Sequence, residues 1–160
     1  MINIEKPKIS DLEQIRNIFS QWTEIEEVEK YLSRISNEIN GQTEFNMQFW
    51  VACENKIAVG VVGLSDPLPK VLPFAKTEKP GEIKILYVDT KKQGKGIGRF
   101  LVDFIEEEAI AQGYSELLIR SAEKYRETAY RFYEKMDYVK VGVVDGEDSS
   151  KKMQVFGKVL

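Results

Sequence analysis

The sequence predicts an α/β (α+β) domain with about seven strands and about four helices in a single chain of 160 residues. Two observations carry the fold class. Apolar residues recur at helical spacing in four segments, while seven shorter runs alternate or are continuously apolar, as strands are. Proline, glycine and Asn/Asp clusters punctuate the gaps between them. A third bounds the size: hydrophobic residues make up 42% of the chain, enough for a real core at this length. One domain spanning 1–160 is expected, with no internal repeat and no low-complexity tract.

The elements follow in order. Residues 2–6 read as a first strand. Ser10 with Glu13 offers a helix start, and Leu12, Ile15, Ile18 and Phe19 form the stripe of a helix that ends near Trp22. A second helix begins at about Thr23, with Glu26 in the capping-box position and Ile25, Val28, Leu32, Ile35 and Ile39 on one face, until Asn40-Gly41 stops it. Strands over 47–53 and 57–64 flank Glu54-Asn55-Lys56, a connection of hairpin length. Pro67, Pro69, Pro73 and Pro80 make residues 65–80 a long surface loop. Next come a strand over 82–88, a helix over 98–112 ending at Gly113, and a strand over 116–121. A helix over 123–136 stacks Tyr125, Ala129, Phe132, Tyr133 and Met136. Strands at about 138–144 and 151–159 close the chain, separated by the turn chemistry of Asp145-Gly146-Glu147-Asp148.

Composition removes several chemistries. The chain has no histidine and one cysteine, Cys53, so a Ser-His-Asp triad, a Cys-His pair, an HExxH zinc site and a cysteine-rich zinc site are all excluded, and no metal is expected. Any acid or base must be Glu, Asp, Tyr, Lys, the lone thiol or water. A net charge of -3 gives no basic face for nucleic acid. The apolar runs fall far short of the ~20 residues that span a bilayer, and the N-terminus lacks signal-peptide order. No membrane partner is expected, and a cytoplasmic location is.

The chemistry-bearing stretch is Leu86-Tyr87-Val88 followed by Gln93-Gly94-Lys95-Gly96-Ile97-Gly98-Arg99. Glycines at every second position stand between a strand and a helix. There the orphan N–H groups and dipole of a helix start can face an anion, for which a pyrophosphate is the right shape. The spacing differs from a Rossmann turn and from a Walker loop, since Lys95 precedes the last glycine and Arg99 stands where the Walker lysine would. The alternative is a tight turn that uses glycine only for its backbone freedom.

These residues resemble the Q/R-x-x-G-x-G/A signature of the GCN5-related N-acetyltransferases (GNAT). A second segment, Ala129-Tyr130-Arg131-Phe132-Tyr133-Glu134-Lys135-Met136-Asp137-Tyr138, is similar to the family's A-x-x-F-Y-E-K-L-G-F segment, and the order of elements agrees over essentially the whole chain. The resemblance implies a mixed, mostly antiparallel twisted sheet with a V-shaped cleft between the fourth and fifth strands. It also implies acetyl-CoA as co-substrate: the pantetheine arm pairs with the fourth strand at Leu86, Tyr87 and Val88, and the pyrophosphate rests on Gln93, Gly94, Lys95, Gly96, Ile97 and Gly98, beside Arg99. The Val88 N–H takes the family's place as oxyanion donor. Tyr133 occupies the position of the tyrosine that protonates the departing thiolate, although its place on an apolar stripe equally suits the core. Glu82 stands where some members carry a glutamate that takes the amine's proton. Strict alternation would put it on one face with Lys84, Leu86 and Val88; an ion pair with Lys84 or a neighbouring strand suits it as well. Arg126 stands where the family often has a cofactor-orienting asparagine, and Asp137 replaces the glycine that usually ends the last helix.

The function implied is acetyl transfer from acetyl-CoA to a primary amine of a small molecule, with a homodimer as a family habit. The competing class is a non-catalytic acyl-CoA-binding sensor or interaction domain of the same fold. Substrate clues are confined to the first two helices. Between Asp11 and Glu38 there are seven acidic residues and three basic ones, which attract cations or simply solvate a helix face, and Phe19, Trp22 and Tyr31 suit either a pocket or the core.

Overall fold

The computed structural model describes residues 1–146 and 151–160. Seven strands, β1 (Ile2–Glu5), β2 (Gln48–Glu54), β3 (Ile57–Ser65), β4 (Pro80–Val88), β5 (Glu116–Ala122), β6 (Val139–Asp145) and β7 (Lys152–Val159), form one open sheet in the order β1-β2-β3-β4-β5-β7-β6. Four α-helices accompany them: α1 (Leu12–Ser20), α2 (Ile25–Ile39), α3 (Ile97–Ala111) and α4 (Ala129–Lys135). β1–β2, β2–β3, β5–β7 and β6–β7 pair antiparallel and β4–β5 parallel, the mixed sheet expected. The chain divides into two compact units, Met1–Ser65 with Lys84–Ile105, and Asp66–Ile83 with Glu106–Leu160.

In the first unit, α1 and α2 lay Ile15, Ile18, Phe19, Val28, Leu32 and Ile35 against Phe49, Val51, Cys53 and Val61 of the β2–β3 hairpin. Ile25 belongs to the predicted stripe yet is 66% exposed, because α2 starts there and its first turn projects past the core. The predicted capping pair Ser10–Glu13 is not used. Asp11 accepts from the Lys8 N–H instead, and Thr23 bonds Glu27 rather than capping toward Glu26. Asn55 and Lys56 both have positive φ, so the hairpin closes through a two-residue turn of the kind that matches strand twist. Gly41, at φ 75, ends α2 as expected. α3 begins over Gly60, where an added Cβ would lie 2.9 Å from Leu101 Cδ1, and Phe104 meets the edge of Trp50 at 5.6 Å. The near-continuous apolar sequences of β2 and β3 reflect this burial on both faces.

In the second unit, α4 packs Tyr130 and Tyr133 on Phe156 of β7, while the connection over 66–79 lies with Val71, Phe74 and Ala75 against Leu118 and Val155. That connection is more than the surface loop the prolines suggest. Val71 is fully buried, a 3-10 turn runs Leu72–Phe74, and the Phe74 ring sits where a Cβ on Gly142 would be. Pro80 opens β4, the first-residue place a strand allows proline. The helix expected over 123–136 is broken into a 3-10 turn, Glu123–Tyr125, and α4. Thr128 donates both its N–H and its hydroxyl to the Tyr125 carbonyl, which ends the first turn and removes Tyr125 from the α4 face. Asp137 adopts φ 71 and closes α4 in glycine's place. Of the turn expected at 145–148, Glu147 and Asp148 lie outside the described residues.

Candidate active site

The predicted residues fall in both units. Leu86, Tyr87, Val88 and 93–99 belong to the first; Glu82, Arg126 and Tyr133 belong to the second.

In the first unit the site grows from the end of β4. The β4–β5 register runs from Pro80↔Glu116 to Ile83↔Ile119 and stops, although both strands continue. Two residues on, Ile85 has φ 52, a left-handed backbone that a β-branched residue rarely tolerates and that costs on the order of 1–3 kcal/mol. The alternation expected from Glu82 through Val88 breaks at this point. Lys84 Cβ comes within 3.1 Å of the Cβ position of Gly63, beside the Phe49 ring, and Ile85 packs against the core that contains Phe49, so two consecutive residues meet one face. Glu82 and Lys84 therefore do not share a face with Leu86 and Val88.

After that break the strand is regular. The Asp89 N–H donates to the Val59 carbonyl on β3 at 2.9 Å, so by strand alternation the polar groups of Val88 point away from β3. The Val88 carbonyl on that side accepts the Trp22 indole N–H at 2.9 Å. Asp89 then accepts from Lys91 N–H, and Gln21 receives both the N–H and the hydroxyl of Thr90, pinning the chain before the glycines. Gly94 and Gly96 have φ 78 and φ 79, and no atom lies within 4 Å of the Cβ either would carry. Their hydrogens thus serve backbone conformation, and the space beside them is open. Ile97 is buried and anchors the first turn of α3, whose leading N–H groups have no intrahelical acceptor. Gln93, Lys95 and Arg99 are exposed around it. An open, glycine-lined helix start flanked by two cations suits a pyrophosphate, and an outward strand amide suits a pantetheine amide or an acyl oxygen.

In the second unit, the Tyr133 ring is buried among Phe132, Tyr138 and Phe156. Among the described residues its hydroxyl has no hydrogen-bond partner, and burial, with a smaller effect from Tyr125, pushes the phenol's pKa up. It is a protonated donor with nothing described to donate to. Its neighbours differ: the Tyr130 hydroxyl donates to the Ser121 carbonyl at 3.2 Å, and Tyr138 donates to Glu106 at 2.9 Å, a carboxylate also held by Lys158. Glu82 is fully buried. One oxygen accepts from the Leu68 N–H and the other from Arg120 Nε, each at 3.0 Å. Of its two expected uses, the structure provides the ion pair with a neighbouring strand. Glu116 does similar work on the same connection, accepting from Lys76 N–H, Thr77 N–H and the Thr77 hydroxyl. Arg126 is exposed and engaged with Glu123 and Glu127.

Four features of this site escape a reading of the residues alone. Gly60 and Arg120 left signals, a glycine inside a strand and a cation in an apolar run. The Trp22 to Val88 bond is long-range, and Ile85 has no local sequence mark at all.

With this geometry in place, comparison with known proteins decides the family. The profile of the acetyltransferase (GNAT) family matches residues 12–138. The chain belongs to the GNAT family. It is an acyl-CoA-dependent N-acetyltransferase, acting on an amine. Solved GNAT-fold structures superpose over the full length: a GNAT-family protein from Desulfovibrio desulfuricans (TM-score 0.83, 16% identity, covering 99% of each chain), an N-acetyltransferase from Staphylococcus aureus (0.71, 19%, 99% of this chain and 98% of that one), and the PaiA N-acetyltransferase of Thermoplasma acidophilum in complex with coenzyme A (0.69, 17%, 100% and 99%). At these identities the likeness is one of fold. No curated protein sequence is similar enough to register as a match. No helix among the described residues is long and apolar enough to cross a membrane.

Proposed function

We propose that this GNAT protein transfers the acetyl group of acetyl-CoA to a primary amine of a small molecule, residues 1–160 working as one domain in the cytoplasm, with room for a homodimer. The observation that carries the reading is the Val88 amide: its N–H points off the β3 side of β4 and lies just before the open glycine turn. Acetyl-CoA supplies an activated thioester. Leu86, Tyr87 and Val88 bind the pantetheine arm along the strand edge, and the Val88 N–H donates to the acyl oxygen, where a fixed dipole is worth several kcal/mol to the transition state. Gln93 to Gly98 with Lys95 and Arg99 hold the pyrophosphate, and Arg126 contributes a further charge to the cofactor. Tyr133 gives its proton to the leaving sulfur. Glu82, with both oxygens already engaged, positions the 66–79 connection, and the amine's proton leaves through water.

The test is thiol release from acetyl-CoA with a panel of small amines, alongside calorimetry of acetyl-CoA binding. Amine-dependent thiol release supports acetyl transfer. Tight acetyl-CoA binding with no turnover on any amine points instead to the acyl-CoA-binding module.

A further inference from the structure

One ammonium group holds the last turn of α4. Lys158, on β7, donates to the Met136 carbonyl at 3.1 Å and to the two oxygens of Glu106, on α3, at 3.1 and 3.0 Å. Glu106 also accepts the Tyr138 hydroxyl at 2.9 Å, so a single ion pair grips the chain on both sides of Asp137, whose φ of 71 turns it out of the helix. Both side chains are largely shielded from water, at 23% and 15% exposure. The other end of the helix has no such hold. α4 is seven residues long and its N-cap, Thr128, makes no side-chain capping bond, whereas an isolated helix needs roughly 12–15 residues to persist in water. Its place is therefore set from the C-terminal end. Tyr133 belongs to that end: its carbonyl accepts the N–H of Met136 and the N–H of Tyr138, each at 3.0 Å. Its hydroxyl has no partner among the described residues to orient it, so its position is inherited from the packing of the ring and from the turn that carries it.

Resting on the reading above in which Tyr133 gives its proton to the leaving sulfur, we propose that Lys158 and Glu106 are positioning residues for that step. The carboxylate holds the ammonium, the ammonium holds the Met136 carbonyl, and the turn so fixed sets where the Tyr133 hydroxyl stands. Proton transfer needs the two heavy atoms within ~2.6–3.2 Å, and a misplacement of about 1 Å costs on the order of 10²-fold in rate. A donor with no bond of its own depends on its backbone for that precision. The positive charge also lies at the carbonyl end of α4, where a helix favours it.

The experiment measures thiol release with the amine of the panel that turns over fastest, in Lys158→Met, in Lys158→Arg, and in both again with Tyr133→Phe. Methionine keeps most of the stem and drops the charge. The expected result is a kcat about 10- to 100-fold lower in Lys158→Met with the KM for acetyl-CoA unchanged, and recovery of most of the loss in Lys158→Arg. In the Tyr133→Phe background Lys158→Met should lower kcat no further, since there is no hydroxyl left to misplace. An unchanged kcat in Lys158→Met, or an equal fall in both backgrounds, overturns the proposal and leaves Tyr133 as the acid. Normal turnover in Tyr133→Phe alone removes the acid assignment, and the inference with it. Should Lys158→Met fail to fold, Glu106→Gln decides: it keeps the shape of the side chain and weakens the grip on the ammonium. Its kcat must fall where Tyr133 is present and hold where it is not, and any other pattern overturns the proposal.

Discussion

Replacing Tyr133 with phenylalanine separates catalysis from packing, because the two depend on different atoms. The ring packs at 5.5 Å from Phe132, 6.3 Å from Tyr138 and 5.5 Å from Phe156, and phenylalanine retains all three contacts. The hydroxyl that is lost has no partner among the described residues. The hydroxyl is not among the fully buried polar atoms left without a partner, so losing it breaks no hydrogen bond to a described residue and relieves no trapped polar group, and the melting temperature should hold. If Tyr133 protonates the leaving thiolate, kcat falls by about 10²–10⁴, or roughly 2.7–5.5 kcal/mol of barrier. Tyr138→Phe is the control: it breaks a bond to the Glu106 carboxylate and should cost about 1.5–3 kcal/mol of stability. The pH dependence follows with a definite sign. Burial keeps the folded phenol protonated beyond the usual tyrosine range, while in the unfolded chain it ionises near ~10. The folded state then holds a proton that the unfolded state has lost. Stability from this group is complete below about pH 10 and declines above it, by up to ~1.4 kcal/mol per pH unit, and Tyr133→Phe makes the decline shallower. Thiol-release kinetics and thermal melts read both axes. Normal turnover in Tyr133→Phe would refute the assignment and move the proton to Tyr125, Tyr130 or water.

Glu82→Gln tests anchor against base. It leaves the Arg120 cation without its counter-charge in a buried place and should cost about 3–5 kcal/mol in denaturant unfolding; a variant of normal stability with a large fall in kcat would restore Glu82 as the base. Gly60→Ala sets a Cβ 2.9 Å from Leu101 Cδ1, the tip of a fully buried side chain on α3 that must shift to make room. It should cost about 1–3 kcal/mol and weaken acetyl-CoA binding in calorimetry, and unchanged affinity would show that the glycine turn does not depend on how α3 seats.

What the residues disclosed was whatever depends on local pattern. Gly41 and Gly113 were readable as helix stops because only a residue free to take positive φ ends a helix that way, and both do. The strand, glycine turn and α3 were readable because they follow one another directly and each carries its own local pattern. Hidden features depend on partners far along the chain. Glu82 is fourteen residues or fewer from Lys84 and Leu68, yet its cation is Arg120, and nothing near Trp22 marks Val88 as its acceptor. The break between Tyr125 and Ala129 was missed for another reason: apolar spacing there is helical, but the Thr128 hydroxyl competes for the backbone.

The left-handed residue within β4 makes the strand more sensitive to length than to composition. Any side chain exchanged at Leu86 leaves Val88 where it is. Deleting Ile85 would restore plain alternation, and with residues 80–83 kept in register by β5 every later residue would turn over: the Val88 amide would face β3, and the indole of Trp22 would lose its acceptor. A search among variants of this protein should therefore find the end of β4 at Leu86 permissive to substitution and closed to insertions and deletions.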